Sequence, residues 1–139
     1  FSCNEVKNNS NEFLRNSSSK NITFIIDLKV NENSTEDLNQ FINEITENVL
    51  KSESFCLEYA YYISEDKKSI TLYEKYDESS SGVKHGQNFI NSPYFERFFN
   101  LFTLEKFIVT GPATKEFKDF ALENGFMIDY RENVDGFKR

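Results

Sequence analysis

His85 is the single histidine of this 139-residue chain. An imidazole near its ordinary pKa of about 6.5 can take a proton from an acidic O–H at neutral pH. The same ring, near the start of a helical stretch, can equally be surface or bond to Glu74. Glu74 stands in the alternating run "SITLYEKY", on the side of Ile70 and Leu72. A half-buried carboxylate there either titrates high or pairs with His85, Lys75 or a partner-chain residue. Tyr59, Tyr61 and Tyr62 cluster in "CLEYAYYIS". Their hydroxyls suit the orientation of a flat aromatic, and their rings equally suit sheet and interface packing.

Other chemistries are disfavoured. With two Cys and one His there is no ligand set at metal spacing, so no metal is expected. A net charge of −7 and a pI near 4.8 repel phosphate backbones, which argues against nucleic acid as a partner. No apolar run reaches the roughly 18 residues that would span a bilayer.

The elements that must position these residues follow from periodicity. Residues 4–21 hold six Asn and four Ser, too few apolar groups to offset the entropy of ordering, and are expected to be a disordered tether. The folded domain is expected over residues 22–139. "ITFIIDLKV" alternates as a half-buried strand. Ser34 is the expected cap of a helix over 35–51, with Glu36 and Asp37 in its first turn. Cys56–Ser64 and Ser69–Tyr76 read as a hairpin around "EDKK". A helical stretch from about Val83 to Phe102 is interrupted at Ser92-Pro93. Leu104–Gly111 is the fourth strand, "TKEFKDFALENG" a helix stopped by Gly125, and "FMIDYRE" a fifth strand.

That order is α+β: a ferredoxin-like βαββαβ antiparallel sheet with both helices on one face, plus a C-terminal helix and an extra strand. In the second strand Leu57, Tyr59, Tyr61 and Ile63 share one side and Cys56, Glu58, Ala60 and Tyr62 the other. Neither side is cleanly polar. A sheet apolar on both faces needs a second cover, and the simplest is another copy of the chain, giving a homodimer.

The stretch Cys56-Leu57-Glu58-Tyr59, Ser64-Glu65-Asp66, Tyr73-Glu74-Lys75-Tyr76 and His85 resembles, in order and type, antibiotic biosynthesis monooxygenase-like domains. "SPYF" (residues 92–95) and the ending "GFKR" (136–139) add to the likeness. The resemblance implies a dimeric α+β barrel with a pocket between sheet and helices. It further implies a cofactor-independent monooxygenase for a quinol or related small aromatic, with His85 as the base that makes the anion O2 attacks and Glu74 beside it. Tyr59, Tyr61, Phe89, Phe95 and Phe99 would shape the pocket, although helical spacing alone assigns the Phe-rich run to core. The alternative is a non-catalytic dimeric ligand-binding or scaffold module. The opening "FSC" resembles the end of a bacterial lipoprotein signal, with Cys3 carrying the lipid. This expectation places the chain at the cell envelope or periplasm, tethered to the membrane only through Cys3, and otherwise in the cytoplasm.

Overall fold

A computed structural model describes residues 14–15 and 18–139. Cys3, and with it the expected lipid attachment, lies outside these residues. Within the stretch expected as a tether, Leu14–Arg15 form a short strand, β1, paired antiparallel with a terminal strand β7 (Phe137–Lys138), and Arg15 forms an ion pair with Asp135.

The main sheet comprises β2 (Ile22–Val30), β3 (Cys56–Ile63), β4 (Ser69–Tyr76), β5 (Phe102–Thr110) and β6 (Asp129–Arg131). Its order is β3-β4-β2-β5-β6, and β6 joins β5 in parallel, so the sheet is mixed. Four helices accompany it: α1 (Leu38–Ser52), α2 (Ser79–Ile90), α3 (Tyr94–Leu101) and α4 (Lys115–Glu123). The α+β class and strand order agree with the periodicity of the sequence, including the break at Ser92-Pro93 between α2 and α3.

Several boundaries differ for local reasons. Asp37, not Ser34, caps α1 by accepting from the Gln40 amide. Ser34 instead accepts from the Glu36 amide in the preceding turn. The helix expected from about Val83 already begins at Ser79, because Ser81 donates to Asp77 and Ser79 bonds Thr114 at the cap of α4. At the other end of α4, Gly125 takes a positive φ of 79°. The Gly125 and Phe126 amides then donate to the Leu122 and Ala121 carbonyls, a Schellman turn that brings Phe126 back over the sheet.

Cross-strand register lays the helix-covered face out in rows. They run Cys56–Tyr76–Ile22, then Tyr59–Glu74–Phe24–Val109, then Tyr61–Leu72–Ile26–Phe107, then Ile63–Ile70–Leu28–Leu104. Cys56 belongs to this face although alternation assigned it to the other. A register shift between Cys56 and Glu58 inserts Leu57 as an extra residue, reversing the side on which Cys56 falls. The opposite face has one apolar row, Ala60–Tyr73–Ile25–Ile108, between Glu58–Lys75–Thr23–Thr110 and Tyr62–Thr71–Asp27–Lys106. It is therefore mixed, less apolar than the sequence pattern suggested.

Candidate functional site

Among the rows of the helix-covered face, Glu74 is the only charged side chain. It stands between Tyr59 and Phe24 on the neighbouring strands and is 3% exposed. A carboxylate in that position needs partners, and α2 supplies one. His85 lies on the buried side of α2 with Val83, and its Nε2 is 3.0 Å from Glu74 Oε1. The other ring nitrogen, Nδ1, is 2.7 Å from Glu53 Oε1. Glu53 is the residue that ends α1, and its second oxygen accepts from Asn88 Nδ2 at 2.8 Å. Tyr76 donates its hydroxyl to Glu74 Oε1 at 2.5 Å. One imidazole thus joins the end of α1 to the middle of the sheet.

The electrostatics follow from this clamp. Burial alone works against a charged ring, but the Glu74 and Glu53 carboxylates outweigh it and raise the His85 pKa to about 10. The ring is an imidazolium at neutral pH and both N–H groups donate. Burial tends to raise the Glu53 carboxyl, but bonds from His85 and Asn88 hold it below its ordinary value. The Tyr59 and Tyr76 phenols are pushed well above theirs by burial first, then by Tyr61 and Glu74 at Tyr59 and by Glu74 at Tyr76. Burial also lifts the Cys56 thiol to about 12, so it is no nucleophile.

The sequence expectation of His85 as a base poised near neutrality therefore does not fit this geometry. Its lone pairs are committed to protons that two carboxylates hold in place. The free acceptor is Glu74. Both of its hydrogen bonds to the chain fall on Oε1. No sealed side-chain oxygen among the described residues lacks a partner, so Oε2 is not sealed off, and Glu74 is one of the residues that line a cavity.

That cavity, of about 70 Å³, lies between the sheet and α2, α3 and α4. Phe24, Ile26, Tyr59, Leu72, Leu104 and Phe107 form its sheet wall, and His85, Phe89, Phe98, Phe99, Phe117, Phe120 and Phe126 its helix side. Two glycines of α2 let α4 close over it. A Cβ on Gly86 would stand 2.4 Å from the Phe120 ring, and one on Gly82 3.0 Å from the Phe117 ring.

Of the residues singled out from sequence, His85, Glu74, Tyr59, Phe89 and Phe99 converge on the cavity. Tyr61 and Phe95 stand one layer back. Tyr61 hydrogen-bonds Tyr59 hydroxyl to hydroxyl at 2.8 Å and stacks on Phe102. Phe95 packs on Phe89 and Phe99. Sequence reasoning missed Glu53, Tyr76 and the α4 rings. Asn88, one turn after His85, was a usable signal, whereas Glu53 sits in an ordinary helix-ending position. No group of three His, Cys, Asp or Glu among the described residues is placed to hold a metal ion, since the two carboxylates lie on opposite nitrogens of the ring.

No protein-family model and no curated protein matches the chain. The fold, an α+β arrangement with a mixed five-stranded sheet and four helices, is that of antibiotic biosynthesis monooxygenase-like structures. MupZ from Pseudomonas fluorescens superposes with a TM-score of 0.71 at 19% identity, over 87% of this chain and 96% of that one. SnoaB from Streptomyces nogalater, a cofactor-independent oxygenase whose structure was solved as a mutant, gives 0.52 at 11% identity, over 66% and 91%. A Bacteroides thetaiotaomicron protein assigned by name to the antibiotic biosynthesis monooxygenases gives 0.50 at 17%, over 62% and 84%. At such identities the likeness defines the fold alone.

Proposed function

We propose that the protein is a cofactor-independent monooxygenase for a small phenol or quinol, in which Glu74 rather than His85 receives the substrate proton. The observation carrying this reading is a buried carboxylate, Glu74, in the wall of an aromatic cavity, with its hydrogen bonds on Oε1 and its Oε2 not sealed off. A hydroxyl bound there gives its proton to Glu74. The His85 imidazolium, fixed by Glu53 on its far side, stands beside the negative charge that spreads into the substrate ring. The electron-rich ring reduces O2. One oxygen atom enters the ring as a carbonyl, two ring-bound or hydroxyl hydrogens leave, and the second oxygen departs with them as water. The fold shared with a cofactor-independent oxygenase supports the reading.

Oxygen consumption tests it. Protein stripped of metal and flavin should take up O2 with monocyclic quinols, and Glu74→Gln should lower the rate by about 10²-fold or more. Glu53→Gln, which weakens the hold on His85, should have a smaller effect. Equal rates for wild type and Glu74→Gln would remove Glu74 from the reaction.

The small size of the cavity favours the second reading, a non-catalytic dimeric binding or scaffold module. Stoichiometric binding of a quinol without O2 uptake would select it. Homodimerisation through the uncovered sheet face and a lipid anchor on Cys3 at the cell envelope belong to either reading.

A further inference from the structure

The cavity's size and charge together restrict what it takes. A void of about 150 Å³ accommodates benzene, and this one is about 70 Å³, so a single ring enters only if a wall side chain gives way. Fused rings demand more. Phe126 is held by the Schellman turn rather than by a helix or strand, with its ring 6.1 Å from Phe107.

Charge restricts it further. Glu53 and Glu74 share one imidazolium, which leaves one negative charge uncompensated. Among the described residues no lysine or arginine lines the cavity. Both N–H groups of His85 are committed, and the one other polar side chain among the described wall residues, Tyr59, has its hydroxyl bound to Tyr61. A carboxylated substrate would meet like charge across a few ångströms of phenylalanine and find no donor. A neutral hydroxyl has one good partner, Glu74 Oε2.

Resting on the oxygenase site described above, we infer that the ligand class is an uncharged monocyclic phenol, presented hydroxyl-first to Glu74, and that carboxylate-bearing or fused-ring aromatics are excluded.

Titration calorimetry under nitrogen separates this from the oxygenase reading, because no turnover is needed. The probes are p-cresol, 4-hydroxyphenylacetate and 1-naphthol. On the intact chain p-cresol should bind about 100-fold more tightly than 4-hydroxyphenylacetate, and more tightly than 1-naphthol. Glu74→Gln keeps the shape and removes the excess charge, so the preference for p-cresol over 4-hydroxyphenylacetate should shrink toward unity. Should that variant not fold, the wild-type ratios still decide. Tighter binding of the acid or the naphthol than of p-cresol, or no binding of p-cresol, overturns the inference. Binding as expected without O2 uptake would overturn the oxygenase reading alone.

Discussion

At the scale of single residues the site depends on the sharing of one proton-rich ring between two buried carboxylates. His85→Ala leaves Glu53 and Glu74 facing each other's charge without a counterion. The loss should be about 3–5 kcal/mol, the usual cost of breaking a buried pair from one side, read from urea midpoints. The pH dependence has a definite sign. His85 has a folded pKa raised from 6.5 to about 10, so its stabilisation is full below about pH 6.5 and is lost as pH rises through 10, on the order of 1.4 kcal/mol per unit of difference. Glu53 is depressed below 4.5, so its share is present above that value and is lost as the solution is acidified through the lower one. Melting temperatures should therefore peak near pH 5–6.5 and fall toward pH 10. The alkaline fall should be shallower in His85→Ala, and parallel wild-type and variant profiles between pH 6.5 and 10 would contradict the clamp.

At the scale of elements, the closure of α4 on α2 governs access. Gly86→Ala places a methyl group 2.4 Å from the Phe120 ring, and the ring must turn away. That overpacking should cost about 1–3 kcal/mol and change quinol affinity as Phe120 moves against the cavity. Phe126→Ala has the opposite effect on the cavity, enlarging it and admitting 1-naphthol, which calorimetry would register as a new heat. The elements themselves were largely legible, since β2, β4, α3 and α4 carry clear periods and the Gly125 stop is chemically specific. The site was legible only in part. His85 and Glu74 stood out as a lone imidazole and a carboxylate on an apolar side. The direction in which Glu53 leaves α1 depends on tertiary packing that no local pattern encodes. The bulge at Leu57 was likewise hidden, because a single inserted residue reverses alternation without altering composition.

At the scale of the whole molecule assembly turns on the sheet face that no helix of the described residues covers. Its apolar content is the single row Ala60–Tyr73–Ile25–Ile108, with Leu57 and Tyr62 exposed nearby at 49% and 63%. Polar rows on either side carry charges of both signs, Glu58, Lys75, Asp27 and Lys106. A face of this make-up fits a two-fold interface better than a lasting solvent surface, because two copies can bury their apolar rows against each other while the flanking charges pair. We expect the protein to sediment as a dimer at micromolar concentration. Ile25→Lys inserts a charge at the centre of the row on the side away from the buried core, so it should produce a folded monomer with the His85 clamp intact. Since the cavity is walled by residues of one chain, that monomer should still bind p-cresol. A wild-type protein that sediments as a monomer at high concentration would show the mixed face to be stable in water, and p-cresol binding lost along with the dimer would mean that the second copy shapes the cavity.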